Sequence, residues 1–388
     1  MKIAFFSNYL THHQIPFCEA MRELPNVEFY FVSTVPMEQE RKDSGWALDT
    51  DYPYELRTYK APETEQQAVA LARNCDVMII GSAPERYIKA RMQSGKNKLT
   101  FRYSERIYKG GRWRALSPRG MLLRIDTYFR YLGRPLYMLC ASAYTAGDLA
   151  ILGSYLGKCY KWGYFPATKT YESIDQIMAQ KTPNTILWTA RLIELKHPEV
   201  PVEIAKRLKK AGFDFRLDII GAGPMEQSVK ELIEAEGLQE QVRLLGTMKP
   251  EEVREEMEKH SLFLFTSDRN EGWGAVINEA MNSGCAVVAN RQIGSVPFLL
   301  KNGENGLIYD KGNADHLYQQ MQWLLLNPQK AEQVGKNAYE TIVGMWSAEM
   351  AAQRLITLCE QLLQGKKKSP FTEGPCSKAY ISSKKRSE

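Results

Sequence analysis

Glu271-Gly-Trp-Gly-Ala-Val-Ile-Asn-Glu279-Ala-Met-Asn-Ser-Gly284 carries the strongest fold signal in the chain. Upstream of it, Leu262-Phe-Leu-Phe265 is an apolar run that reads as a buried strand, and Ser267-Asp-Arg-Asn270 is a polar loop. Gly272 and Gly274 free the backbone where the strand turns into a helix. From about Ala275, the apolar residues Val276, Ile277, Ala280 and Met281 recur at helical spacing, and Gly284 closes the helix. Cys285 to Ala289 is a second apolar run. Strand, glycine-rich turn, helix and strand make a βαβ unit of a parallel sheet.

Two glutamates bracket that turn. A helix N-terminus offers unpaired N–H groups and the positive end of a dipole, which suit a phosphate. Glu279 lies about five residues into the helix, roughly 7 Å along the axis from that anion site. This is a phosphate-to-ribose span, and a carboxylate accepts hydrogen bonds from both hydroxyls of a ribose. Glu271 precedes the helix and faces the other end of such a ligand. The spacing suits a nucleoside diphosphate with a further group beyond it.

Glu271, seven residues and Glu279, followed by Ala280-Met281 and Gly284, resemble the Glu-x7-Glu signature of retaining glycosyltransferases of family four, which have the GT-B fold. Gly294-Ser-Val-Pro297 and Asn302-Gly-Glu-Asn-Gly306-Leu-Ile are similar to the next segments of that family. The resemblance covers Ile186 to Asp310 well and the N-terminal half in outline. It implies an α/β protein of two Rossmann-like, doubly wound parallel-sheet domains facing a central cleft.

Length agrees, since 388 residues exceed one ordinary core. The expected division is an acceptor-binding domain over 1–166, a linker over 167–183 and a nucleotide-sugar-binding domain over 184–342. The linker rests on composition, because 167–183 is polar and lacks glycine. An amphipathic helix over 343–363 is expected to cross back to the first domain, and a basic disordered tail to occupy 364–388.

Hydrophobic residues at 44% and charged residues at 25% are ordinary for a globular protein. Seven scattered cysteines show no CxxC pair and no metal-site spacing, which favours reduced thiols in the cytoplasm. Met1-Lys2 leads directly into a strand-like run, so no signal peptide is expected. Leu136 to Leu156 is mostly apolar, but Asp148 and its glycines argue against a membrane span.

The net charge of +6 is uneven. From Arg86 to Arg134 there are fourteen Lys and Arg against Glu105 and Asp126, a net of +12, with aromatic residues interleaved. Such a segment fits anionic lipid headgroups or an anionic acceptor. Nucleic acid fits charge of this kind too, but with the motifs above the expectation is a protein peripheral at the cytosolic face of a membrane, without a nucleic-acid partner.

Most of the remaining motifs fall at strand ends. Ile3-Ala-Phe-Phe6 is a strand, and His12-His13-Gln-Ile-Pro16 follows it where many relatives carry a glycine pair. That variant resembles a polysaccharide-assembly branch of the family, with a histidine facing the acceptor or donor sugar. Glu105, after the strand Thr100-Phe-Arg-Tyr103, is an acceptor candidate or an ion-pair partner within the basic segment. Asp49-Thr-Asp51 lies in a polar loop with no strand ending on it and is given no metal role.

Arg191 and Lys196, after the strand Thr185 to Ala190, resemble the donor-phosphate pair of the family, although His197-Pro198 stands where relatives have glycine. Gly221-Ala-Gly223 reads as a tight turn, and the resemblance makes it a wall of the donor site. The loop Gly246-Thr247-Met248 corresponds to the one that holds the base through its backbone.

The resemblance thus implies transfer of a hexose with retention, from a nucleotide sugar to a glycan or lipid-linked acceptor in cell-surface polysaccharide synthesis. Arg191, Lys196, Glu271 and His13 form the expected catalytic set. Gly246, Thr247, Met248, Glu271, Gly272, Trp273, Gly274, Ala275, Val276 and Glu279 join Arg191 and Lys196 on the donor side, with His12, His13 and Glu105 on the acceptor side. No metal and no cofactor are expected, and UDP is favoured over GDP. A nucleotide-sugar 2-epimerase of the same fold and a non-catalytic membrane scaffold are the rival readings.

Overall fold

The computed structural model describes residues 1–39, 50–310, 312–366 and 368–380. The chain forms two compact units, Met1–Ala167 joined by the chain from Ser347, and Thr168–Trp346.

The first unit is built on seven parallel strands, β1 Lys2–Ser7, β2 Glu28–Ser33, β3 Glu55–Arg57, β4 Val77–Ile80, β5 Leu99–Ser104, β6 Leu136–Cys140 and β7 Cys159–Lys161. Their order is β3-β2-β1-β4-β5-β6-β7. Ile3 lies opposite both Phe29 and Val77. Every residue of β4 is buried, as expected of an apolar strand covered on both faces. The helix Ile15–Glu23 starts with Pro16 in its first turn, where the missing N–H costs nothing, and buries Phe17, Cys18, Ala20 and Met21.

That helix packs on Ala348–Leu363, so the chain does return to its first unit as a helix. The bounds differ from those expected. Residues 343–345 end the preceding helix Pro328–Met345, and Trp346 is buried in the second unit, 5.8 Å from Trp273 between ring centroids. Ser347 makes the break, because its hydroxyl accepts from the Met350 N–H at 3.2 Å and starts a new helix. Apolar periodicity runs through this break without registering it.

The described part of the tail is not a disordered segment. Cys376 N–H donates to Lys161 O at 2.8 Å, Lys161 N–H to Ser377 O at 2.7 Å and Ala379 N–H to Cys159 O at 3.1 Å. An antiparallel strip therefore covers the edge of β7, with Cys376 and Ser377 fully buried. An open sheet edge recruits backbone whatever the side chains, so the composition of the tail could not reveal this. The run Lys384-Lys-Arg386 and Asp49 of the DxD triplet lie outside the described residues, while Asp51 pairs with Arg57.

The second unit has six parallel strands, β8 Thr182–Thr189, β9 Arg216–Ile220, β10 Val242–Gly246, β11 His260–Phe265, β12 Ala286–Asn290 and β13 Leu307–Tyr309, in the order β10-β9-β8-β11-β12-β13. Ile186 of β8 lies opposite Leu217 and Leu262. The helix Glu199–Lys210 buries Val202, Ala205 and Leu208 in the core of this unit.

The expected linker also proves structured. Ser173 caps a helix over Ile174–Gln180, and the Lys181 ammonium is buried, donating to Met257 O and His260 O at 2.8 Å each. Eleven of the seventeen residues of this polar stretch are thereby consumed as helix, caps and strand, because one lysine satisfies carbonyls that burial would otherwise orphan.

All seven cysteines are buried and free. No helix among the described residues is long and apolar enough to cross a membrane. Leu355 is fully buried on the returning helix. Leu355→Ala is expected to destabilise the first unit by about 2–5 kcal/mol. Urea unfolding should show one transition moved and the other unchanged.

Candidate functional site

In both sheets the strand order reverses once, between β1 and β4 and between β8 and β11. Loops leaving the carboxyl ends of strands on either side of such a reversal diverge and leave a crevice. In the second unit these are the loop 190–197 after β8 and the loop 266–275 after β11, which hold Arg191, Lys196, Glu271 and Gly274.

The two loops are tied together. Lys196 Nζ donates to Glu271 Oε2, with both side chains mostly shielded at 16% and 15% exposure. Asp268 N–H donates to Leu195 O at 3.0 Å, and Glu271 N–H to Asp268 O at 3.1 Å. The Thr266 hydroxyl donates to Lys196 O at 2.6 Å and accepts from Trp188 Nε1 at 2.8 Å. The cation and the carboxylate that the sequence placed on different parts of a ligand are therefore partners of each other. Arg191 is exposed on the same loop.

His197 adopts φ 53° and ψ 59°, the left-handed region that favours glycine. This accounts for the substitution noted in the sequence: the backbone keeps the glycine conformation while a side chain is added. The His197 Nδ1 is 2.8 Å from Glu199 Oε1, and its Nε2 is 3.7 Å from Asp268 Oδ2. The sequence marks His197 only as a departure from glycine and Asp268 only as part of a polar loop, since no periodic or spacing signal gives either a partner.

Gly221 shows why the β9 turn needs glycine. A Cβ there would stand 1.9 Å from Ala190 O, so the turn lies directly against the Arg191 loop. Gly221 N–H donates to Gly246 O at 2.8 Å, which brings the loop of Gly246, Thr247 and Met248 to the same sheet edge. Thr247 is exposed and Met248 half-buried.

Gly274 has φ +83°, and a Cβ would meet Phe265 Cζ at 2.5 Å. The helix that follows spans Val276–Asn282, with Ala275 and Val276 half-buried at its start. Trp273 corrects an expectation. Its side chain is fully buried, donates Nε1–H to Asn278 Oδ1 at 2.9 Å and packs with Trp346, so it anchors the turn and offers a ligand only its backbone. A large apolar residue between two glycines gives no sequence sign of which way it points.

Glu279 lies on that helix, half-buried. Burial lifts its carboxyl to about 7, partly opposed by Arg254. Among the described residues Asp218, Glu256 and His260 form a cluster of ligand-type atoms, but Asp218 is already committed to Arg243 at 2.6 Å and to His260 Nε2 at 2.9 Å. Burial works against ionisation of Asp218, yet these partners hold it well below the usual carboxylate range.

In the first unit, the rings of His12 and His13 lie 3.8 Å apart between centroids, tilted by 51°. Burial holds both neutral, pushing His13 down to about 3 with help from His12. The His13 ring is parallel to that of Tyr164 within 7° at 6.4 Å, and Tyr164 donates its hydroxyl to Glu105 Oε1 at 2.6 Å. Lys109 pairs with Glu105 at 3.0 Å. The three expected acceptor-side residues thus converge through Tyr164, which follows β7 and which the sequence did not single out.

Residues 170–341 match the family described as glycosyl transferases group 1. That match spans nearly the whole of the second unit, Thr168–Trp346. The chain is 29% identical over 192 residues to the putative colanic acid biosynthesis glycosyltransferase WcaL of Escherichia coli K12, a match covering 48% of this chain and 47% of WcaL. It is 32% identical over 140 residues to the amylovoran biosynthesis glycosyltransferase AmsK of Erwinia amylovora, covering 35% and 34%. The chain spans between a third and a half of the length of these curated relatives.

A crystal structure of HepE from Anabaena in complex with UDP aligns with a TM-score of 0.66 over 93% of this chain and 100% of that one, at 15% identity. Similarity at that level establishes the fold, two Rossmann-like domains of GT-B type. The group 1 match begins at residue 170, inside the stretch expected to be a linker, in agreement with the helix found there.

Lys196→Met leaves Glu271 shielded from water without its cation. A loss of about 1–3 kcal/mol is expected for the second unit, largely recovered in Lys196→Met with Glu271→Gln. Chemical denaturation of the single and double variants measures that coupling.

Proposed function

We propose that this protein is a retaining glycosyltransferase that moves a hexose from a nucleoside diphosphate sugar to a glycan or lipid-linked acceptor in polysaccharide assembly. The observation that carries the reading is the Lys196–Glu271 contact at the β8/β11 reversal, with Glu279 on the helix just beyond it. The WcaL and AmsK names supply the polysaccharide context, and the HepE complex supplies UDP as the favoured nucleotide.

The pair suggests how the donor is received. Its diphosphate competes for the Lys196 ammonium, with Arg191 as a second, bidentate cation. Glu271 is then released to accept hydrogen bonds from the hydroxyls of the sugar. Glu279 takes the ribose hydroxyls. As the bond from the anomeric carbon to the phosphate oxygen breaks, negative charge grows on the diphosphate, where Arg191, Lys196 and the amides around Gly274 stabilise it. The acceptor oxygen bonds to the same face of the anomeric carbon, and its proton passes to a leaving phosphate oxygen. The neutral His13, with Tyr164 and Glu105, serves the acceptor side.

Two measurements test this. In a thermal-shift panel of nucleoside diphosphates, UDP should raise the melting temperature most, because it binds only the native state. Slow hydrolysis of UDP-glucose followed by proton NMR should release the α anomer first. The β anomer first would show inversion, and conversion of the donor to another sugar without acceptor would show an epimerase.

Glu279 adds a pH signature. Its folded carboxyl titrates at about 7, above the ordinary carboxylate range, so between the two the folded chain holds the proton more tightly than the unfolded chain. The contribution of this group to stability therefore falls as pH rises through that window. A carboxylate is the better acceptor for two hydroxyls, so affinity for UDP-glucose should rise as pH passes 7 and then level. Calorimetry on Glu279→Gln should show that step gone and affinity lower by about 1–3 kcal/mol.

A further inference from the structure

The helix Pro118–Thr127 in the first unit is inverted relative to an ordinary surface helix. It turns Gly120, Arg124 and Thr127 inward and leaves Met121, Leu122, Leu123 and Ile125 exposed. Gly120 permits the inward packing, since a Cβ there would stand 2.3 Å from Arg114 O. Arg124 reaches Tyr108, with 3.4 Å between Nη2 and the phenolic oxygen. A short 3-10 turn over Arg112–Leu116 precedes the helix and adds Trp113 at 68% exposure and Leu116 at 63%.

Six of the fourteen exposed large apolar side chains among the described residues therefore fall within fourteen consecutive positions. Clustering of this kind marks an interaction surface.

The rim decides the occupant. Residues 112–134 contain six arginines and a single acidic residue, Asp126, which pairs with Arg130. Arg112, Arg114, Arg119 and Arg130 are exposed around the apolar residues. The Arg114 guanidinium lies over the Trp113 ring at 5.7 Å. A second copy of this chain would set arginine against arginine across the contact, with almost no carboxylate to answer them. An apolar centre with a cationic border matches a lipid bilayer whose headgroups are anionic.

We propose that the segment Arg112–Ile125 is a membrane-docking face that lies in the interface of an anionic bilayer. The leucines enter the boundary between headgroups and acyl chains, Trp113 sits at headgroup level, and the arginines reach outward to lipid phosphates. At ten residues the helix is far too short to span a bilayer, so the attachment is reversible. The inference deepens the proposed transferase reading by placing a lipid-linked acceptor where the enzyme works, but the binding itself does not require transfer.

The test is sedimentation of the full chain with vesicles of phosphatidylcholine alone or of phosphatidylcholine with phosphatidylglycerol. Binding is expected only to the second, weakening with salt. Leu122→Asp should reduce it at least about tenfold, and Arg119→Glu about fivefold or more. Both residues are exposed, so circular dichroism and the melting temperature should be unchanged, as should the shift on adding UDP.

Equal binding to both vesicles, or binding indifferent to Leu122→Asp, overturns the proposal. So does a dimer on size exclusion that Leu122→Asp disperses while vesicles stay unbound. Vesicle binding without any UDP shift would leave the docking face standing and defeat the donor-site reading instead. A UDP shift without vesicle binding would do the reverse.

Discussion

The contact between the Lys196 ammonium and the Glu271 carboxylate holds the ends of two neighbouring strands in register at the point where the sheet changes direction. A buried charge that loses its partner is costly, so each loop constrains the other. Around this contact the backbone is nearly fully specified. Thr266 fixes the carbonyl of Lys196, Asp268 bridges to Leu195, and Gly221 lets the next turn press against Ala190. The pair is also a cation and an acceptor, and in the proposed function the diphosphate and the sugar of the donor divide it between them.

The first unit uses comparable physics with a different outcome. Its strand-end cluster sets two desolvated, neutral rings, His12 and His13, beside Tyr164, which bridges to the Glu105–Lys109 ion pair. A neutral imidazole can accept as well as donate, which suits hydroxyl-bearing ligands better than an imidazolium would. The rest of this unit is concerned with edges. The strip 376–379 closes one side of the sheet, whereas the Arg112–Ile125 segment leaves its apolar side open. One uncovered surface is solved within the chain and the other is not.

Much of the second unit is legible because each of its signals is local. Leu262 to Gly284 presents strand, glycine turn and helix in a continuous window, and the structure places them at His260–Phe265 and Val276–Asn282. Errors arose where a local pattern carried no information about partners. The polar stretch 167–183 looked like a linker because nothing in it reveals that Lys181 will find Met257 and His260 carbonyls 76 and 79 positions away. Trp273 looked like a ligand contact because its burial depends on Trp346 and Phe298. Tyr164 and Asp268 carry no local signal because their contacts are with Glu105 and Leu195, residues distant in the chain.

By itself the sequence determined two parallel α/β sheets, a glycine turn between two glutamates and a strongly basic stretch from Arg86 to Arg134. These follow from periodicity, backbone freedom and charge counting, all properties of neighbouring residues. Only the tertiary structure decided that Lys196 and Glu271 pair, that His13 shares Tyr164 with Glu105, that the tail seals β7 and that one helix wears its leucines outward. Each depends on which surfaces meet after the chain has folded, and long-range pairing energies leave no mark on local spacing.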